Sequence, residues 1–196
     1  MTLGSPMTAP REILNFSLAG LGLLAGLPLL ALAVFAVRRE SPGPAIFKQT
    51  RVGRNGQPFT CYKVRTMYVD TPHLPTHEAP LAGVTGTGKW LRRLRIDEIP
   101  QLWNVLRNDM RLVGPRPCLP TQTELISARR ERGVDQLYPG ITGISQTLHI
   151  DMSTPVKLAN VDATYLGHVN ARTDMKILFN TVSSVLRWKD LVKTAP

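Results

Sequence analysis

From Ile13 to Val37 the chain is apolar almost without interruption, with only Asn15, Ser17 and several glycines among the Leu, Ala, Val and Phe side chains. A helix needs about 20 such residues to cross a bilayer core, and this run exceeds that. It does not read as a cleaved leader. Arg11-Glu12 precedes it instead of a basic cluster, and Arg38-Arg39-Glu40 follows it instead of a small-residue cleavage site. Pro28 falls inside the run. Proline lacks an amide proton and crowds the carbonyl four residues back, so the pattern predicts a kink or break there. At about 1.5 Å per residue the arm before Pro28 measures about 22 Å and the arm after it about 15 Å, neither comfortable as a span by itself. Two topologies stay open, a kinked span and a re-entrant helix that returns both ends to one side. Arg38 and Arg39 put the C-terminal side in the cytoplasm, while Arg11 only permits the N-terminus to be there. A core helix of a soluble protein is rarely apolar over this length.

Beyond Val37 the pattern changes period. Ser41-Pro42-Gly43-Pro44 marks the exit, and Ala45–Val52 and Phe59–Met67 are β-prone runs around Gly53-Arg54-Asn55-Gly56, which predicts a hairpin. Residues 70–88 are rich in Pro, Thr, His and Gly and read as a long loop, of a kind more often functional than decorative. A helix is clearest over Asp97–Arg107: Ile99, Leu102, Trp103 and Leu106 share one face, Asp97 suits the N-cap, and Pro100 is tolerated in the first turn. Leu112-Val113 leads into the rigid turn Gly114-Pro115-Arg116-Pro117. A second helix covers 121–132, and Tyr138-Pro139-Gly140 interrupts the chain before Ile141–Leu148. Residues 155–193 read as two helical pieces. The second sets Leu178, Val182, Val185 and Leu186 on one face, with Trp188 among basic residues as in a helix lying at a membrane interface. Packing against its own domain explains that face equally well. The elements predict an α/β protein in two parts, a membrane helix over 1–40 and a domain over 41–196 built from a small hairpin or sheet and several helices.

Charge narrows the partners. Among 196 residues, 24 Lys and Arg outnumber 14 Asp and Glu, which implies an anionic partner: nucleic acid, an anionic membrane surface or a phosphate-rich substrate. No basic stretch carries the interleaved aromatics of a single-strand binder, so no nucleic acid is expected. Cys61 and Cys118 have neither CxxC nor Cys/His spacing and read as reduced thiols.

Asp97-Glu98 is the one acidic pair set among cations, with Lys89, Arg92, Arg93 and Arg95 before it and Arg116 after it. At a helix start both side chains could face the amino end, where free amides favour anions. The cations would hold Asp97 ionised, as a nucleophile requires, and Glu98 could take a Mg²⁺ that bridges substrate phosphates. The bland alternative is an N-cap followed by a first-turn acid, and the residues alone favour it. Thr85-Gly86-Thr87-Gly88-Lys89 resembles a phosphate cradle in composition but lacks the G-x-x-x-x-G-K-[ST] spacing. His73, His77 and Glu78 match no metal-site spacing and read as a solvated loop.

A longer likeness decides between these readings. Leu91-Arg92, then Asp97-Glu98-Ile99-Pro100-Gln101-Leu102-Trp103-Asn104-Val105-Leu106, Asp109-Met110 and Val113-Gly114-Pro115-Arg116-Pro117 resemble the bacterial sugar transferase family, the monotopic polyprenyl-phosphate phosphoglycosyl transferases. Gly43-Pro44, Gln49-x-Arg51-Val52-Gly53, Lys63-Val64-Arg65-Thr66-Met67, Pro139–Gly143 with Gln146, and Asp162, Tyr165 and Asp174 extend it over residues 13–190. The resemblance implies an enzyme whose nucleophile is Asp97, attacking the sugar-bearing phosphate of a UDP-sugar with release of UMP. Polyprenyl (undecaprenyl) phosphate then takes the phosphosugar, the first membrane step of glycan or exopolysaccharide assembly. It implies Mg²⁺ as cofactor, held by Glu98 with Asp97, and phosphate or nucleotide contacts from Arg92 and from the turn Pro115, Arg116 and Pro117. Lys63, Arg65 and Gln146 are carried over as substrate-binding. It implies a re-entrant helix broken at Pro28 and a catalytic domain facing the cytoplasm from the bacterial inner membrane. A homodimer through the C-terminal helices is one arrangement left open.

Three stretches depart from the family pattern: Leu27 stands where serine is frequent, Arg95-Ile96 replaces Ser-Leu, and Thr147-Leu148-His149-Ile150 replaces Val-Asn-Gly-Arg. The last removes an arginine that would face phosphate. It motivates a second reading, a catalytically degenerate membrane-anchored protein that binds nucleotide-sugar or lipid phosphate.

Overall fold

A computed structural model describes residues 9–71 and 83–193, with the side chains of the last helix described to residue 184. The apolar run is α1 (Ala9–Glu40), 32 residues and about 48 Å long at 1.5 Å per residue. The helix continues through Pro28, so Pro28 does not break it: proline removes one amide, and the turns on either side carry the helix past it. Pro28 lies on the exposed side. A stripe at helical spacing organises α1. Arg11, Asn15, Ala19, Ala33 and Val37 are buried against the rest of the protein, and between them Gly22 and Gly26 receive Leu102 and Ile99. The opposite face, with Leu21, Leu24, Leu27, Leu32 and Phe35, is exposed.

The predicted hairpin forms as β1 (Ile46–Val52) and β2 (Pro58–Val64), antiparallel from Ile46 opposite Val64 to Val52 opposite Pro58. Asn55 and Gly56 take the left-handed backbone of its turn, at φ 55° and 76°. The loop expected to residue 88 ends earlier, because Thr85 caps α2 (Gly86–Arg93) by accepting from the Gly88 amide at 2.9 Å. Glu40, the last residue of α1, accepts from the amides of Gly86 and Thr87 at 2.7 and 2.8 Å. The cradle-like stretch is therefore a helix start whose amides already hold a carboxylate of the same chain. His73, His77 and Glu78 lie outside the described residues.

The helix expected over Asp97–Arg107 is shorter. Ile96–Glu98 is a separate 3₁₀ turn, and α3 (Gln101–Leu106) begins behind Pro100. Because α1 and β2 both pack on α3, its buried face is Gln101, Asn104 and Val105, and Trp103 is half exposed. β3 (Arg111–Val113) runs parallel to β4 (Gly140–Thr142), and between them lie the Gly114–Pro117 turn and α4 (Thr123–Glu131). A Cβ on Gly143 would stand 2.2 Å from the Gly114 carbonyl oxygen, an approach only glycine permits. After β4 come α5 (Ile144–Thr147), α6 (Pro155–Ala163) and α7 (Ala171–Lys193), the last two being the expected helical pieces. On α7 the buried positions are Asp174 and Ile177, whereas Val182 faces outward, contrary to the expected face. Trp188 lies outside the described side chains. Cys61 and Cys118 are buried and free.

One apolar cluster fixes the end of α1 to the hairpin and α2 through Ala33, Val37, Ala45, Val64, Leu91 and Ile96. A second joins Ala19 to Cys61, Val105 and Met110. Together they clamp β2 and the 96–98 turn against α1, which places both at the wall of one cavity.

Candidate active site

The chain enters the 96–98 turn through Arg95, a non-glycine residue at φ 56°, ψ 21°. Left-handed backbone costs an L-residue about 1–2 kcal/mol, and here it turns two consecutive carboxylates inward. Asp97 and Glu98 are each 8% exposed and line a cavity of about 1050 Å³, together with Lys63, Arg65, Arg92, Arg95 and Arg116. The hairpin supplies much of the remaining wall, including Phe47, Gln49 and Arg51, and His149 reaches it from the turn after α5 and Ser184 from α7.

The two carboxylates differ sharply. Glu98 Oε1 takes Lys63 Nζ at 3.1 Å and Arg116 at 3.4 Å, and Oε2 takes Arg95 at 3.2 Å. Burial alone would raise its pKa, but Lys63, Arg116 and Arg95 outweigh it and hold the group at about 2. Asp97 accepts no hydrogen bond from the described residues. Burial pushes it from 3.8 up to about 6, and the neighbouring Glu98 charge adds to the rise, while Lys63, Arg92 and Arg116 oppose it incompletely. The surrounding cations do pull Asp97 down, which helps to keep it ionised as expected, but not enough to offset burial: Lys63, Arg95 and Arg116 make their direct contacts with Glu98 and Arg92 with Thr66. Nor is Asp97 a helix N-cap, since α3 starts four residues later and the dyad's position comes from the 3₁₀ turn.

The cations are positioned by contacts with the surrounding elements. Asn104, fully buried, accepts from the Tyr62 amide at 3.1 Å and donates to the Thr60 carbonyl at 2.7 Å, pinning β2 and thus Lys63 to α3. Arg92 Nε donates to Thr66 at 2.8 Å. The Arg116 carbonyl accepts from Arg129 at 2.9 Å and the Pro117 carbonyl from Arg51 at 3.2 Å, so the turn is held by its backbone while the Arg116 side chain reaches the dyad.

Of the residues singled out from sequence, Lys63, Arg65, Arg92, Asp97, Glu98 and Arg116 meet in this cavity, and Pro115, Pro117 and Gln146 do not line it. Arg65 donates to the Ser41 and Pro42 carbonyls, both at 2.7 Å, so its charge is largely committed to the exit of α1. Asp162, Tyr165 and Asp174 form buried networks elsewhere: Asp162 with Arg129 and Ser145, Asp174 with Arg11 and Tyr165. Arg95, Asn104, Arg129 and His149 receive no site role from the sequence, although Arg95 stands among the cations before the dyad, Asn104 within the family likeness and His149 within the 147–150 departure.

No group of three or more metal-ligating side chains converges among the described residues. Magnesium that keeps waters and shares substrate phosphates needs only one or two carboxylates. Asp97, free of hydrogen bonds from the described residues, is the carboxylate that could take such an ion, whereas both Glu98 oxygens are engaged by Lys63, Arg116 and Arg95.

The model of the family described as bacterial sugar transferase matches residues 7–188. A UDP-glucose:undecaprenyl-phosphate glucose-1-phosphate transferase of Caulobacter vibrioides is 42% identical over 168 residues, covering 81% of this chain and 63% of the relative. An undecaprenyl-phosphate glucose phosphotransferase of Komagataeibacter xylinus is 38% identical, covering 82% and 32%. A UDP-N-acetylgalactosamine-undecaprenyl-phosphate N-acetylgalactosaminephosphotransferase of Aeromonas hydrophila is 34% identical, covering 94% and 46%. The chain thus spans between about a third and just under two thirds of the length of these curated relatives.

Proposed function

The chain belongs to the bacterial sugar transferase family, and on that premise we propose that it transfers a sugar 1-phosphate from a UDP-sugar to polyprenyl phosphate, with UMP as the leaving product and Asp97 as nucleophile. The observation that carries this is the cavity in which a buried carboxylate without a hydrogen bond from the described residues stands beside one saturated with cations. The relatives named for undecaprenyl phosphate support the acceptor.

In the first step an Asp97 oxygen lone pair forms a bond to the sugar-bearing phosphorus, and the bond from that phosphorus to the UMP oxygen breaks. Splitting one difficult exchange into two easier ones is what a nucleophilic carboxylate contributes. In the second, a phosphate oxygen of the polyprenyl lipid attacks the same phosphorus and frees Asp97, leaving polyprenyl-diphosphate sugar. Lys63, Arg92 and Arg116 neutralise the equatorial oxygens and position them, which is most of the catalysis in phosphoryl transfer. Mg²⁺, when bound, adds Lewis-acid neutralisation of the same oxygens. The pKa of about 6 at Asp97 leaves it mostly ionised at neutral pH yet more basic than an ordinary aspartate.

The acceptor lies at a bilayer, and α1 is the element suited to meet it. Both of its ends are tied to the same domain: Arg11 to Asp174 at 2.7 Å and Glu12 to Arg111 at 2.8 Å near the start, Glu40 to the α2 amides at the finish. A spanning helix would pull one set of these contacts across about 30 Å of hydrocarbon. We therefore read the chain as monotopic, entering one leaflet of the inner membrane by the exposed face of α1, with the cavity on the cytoplasmic side.

The test is UMP release from a panel of UDP-sugars, with Mg²⁺ and polyprenyl phosphate, using detergent- or nanodisc-purified protein beside Asp97→Asn. UMP from one donor, absent in the variant, is expected. Donor binding without UMP from any sugar would favour the degenerate binder.

A further inference from the structure

We propose that His149 recognises the donor, its imidazole hydrogen-bonding the diphosphate of the nucleotide-sugar in the cavity that Arg116 also lines; this rests on the transferase function above. His149 follows the C-cap of α5. The His149 amide donates to the Gln146 carbonyl at 3.2 Å and the Ile150 amide to the Ser145 carbonyl at 2.9 Å, the paired hydrogen bonds of a Schellman cap. That cap requires left-handed backbone, and His149 sits at φ 55°. Glycine takes this conformation freely, whereas a side chain resists it.

Histidine is among the residues enriched in this region, so its presence there says little by itself. What distinguishes His149 is where the ring goes. It lines the cavity that holds Asp97, Glu98 and Arg116, and it has no hydrogen-bond partner among the described residues. His168, by contrast, has its Nδ1 2.9 Å from the Thr164 carbonyl oxygen. Arg116 follows β3 and His149 follows α5, so the cavity draws the two residues from separate segments of the chain. Backbone strain retained at the mouth of a cavity, on an exposed ring with no hydrogen bond from the described residues to offset it, points to a group kept for what enters the cavity.

The experiment uses the full chain in detergent with Mg²⁺, measuring UDP affinity by calorimetry and thermal melting for wild type, His149→Gly and His149→Asn. His149→Gly should melt about 2–4 °C higher as the strain is relieved, yet bind UDP about tenfold more weakly for the lost charged or polar hydrogen bond. His149→Asn tolerates the backbone and keeps a donor, so its affinity should stay within about threefold of wild type. His149→Gly binding UDP as tightly as wild type, or melting lower, overturns the inference and leaves the transferase reading intact. A wild-type chain that does not bind UDP overturns the donor assignment and this inference with it.

Discussion

Arg129 and Asp162, buried between α4 and α6, form a closed cluster. Asp162 Oδ2 takes two guanidinium nitrogens at 2.6 and 3.0 Å, its Oδ1 takes Ser145 at 2.7 Å, and the remaining Arg129 nitrogen reaches the Arg116 carbonyl. In the Asp97–Glu98 cluster the same residue types are deliberately unbalanced: Lys63, Arg92, Arg95 and Arg116 surround two carboxylates, three of them contact Glu98, and Asp97 is left without a hydrogen bond from the described residues. Burial is alike in the two places. Closure is not. A buried charge whose valences are all met is architecture, while surplus cations beside an unmet carboxylate describe the outline of an anion with an electrophilic centre.

The contrast breaks most visibly on substitution. Asp97→Asn should lower UMP release by about 10⁴-fold, about 5.5 kcal/mol in barrier, while the melting temperature is retained or rises. Asp162→Ala should do the reverse in kind, lowering stability by about 3–5 kcal/mol because Arg129 is left buried and uncompensated, as denaturant melts would read. Turnover loss in Asp162→Ala without loss of stability would erase the distinction.

A pH series sharpens it. The folded-state pKa of Asp97 is raised, so the stability linked to its proton is fully present below about 3.8 and lost as pH rises through about 6. Glu98 is the opposite case: its contribution is present above 4.5 and lost as pH falls towards about 2. With chelator present, Asp97→Asn should therefore equal wild type near pH 4 and exceed it by up to about 3 kcal/mol above pH 6. The smallest effect belongs to the surface, where Glu131 pairs with Arg132 at 3.4 Å and is mostly exposed. Glu131→Ala should change stability by less than about 0.5 kcal/mol.

The sequence made some of this legible. The apolar run is long enough to name α1 by itself, Asn55-Gly56 announces the hairpin, and the acidic pair stands out against its basic surroundings. The position of that pair did not follow, because Pro100 is as compatible with a helix beginning at Asp97 as with one beginning after it. The 3₁₀ turn depends on left-handed backbone at Arg95, a residue type that gives no warning of it. The pKa order of the dyad was inaccessible for a different reason: it depends on Lys63, contributed by a strand 35 residues earlier and held there by Asn104. Strands of three residues such as β3 and β4 carry too little alternation to be paired by eye, and the meeting of Arg116 and His149 in one cavity appears only in three dimensions. Pro28 taught the converse lesson, since a strong local signal for a break is absorbed within a helix held along its length by Ala19, Ala33 and Val37.

The most direct test of the nucleophile is to incubate the purified chain with Mg²⁺ and its UDP-sugar in the absence of polyprenyl phosphate, quench in acid, and map the modified peptide by mass spectrometry. A phosphosugar on the peptide carrying Asp97, discharged when polyprenyl phosphate is added before the quench, is the predicted result. An adduct on another residue, or steady turnover with no adduct on any, would contradict the assignment of Asp97.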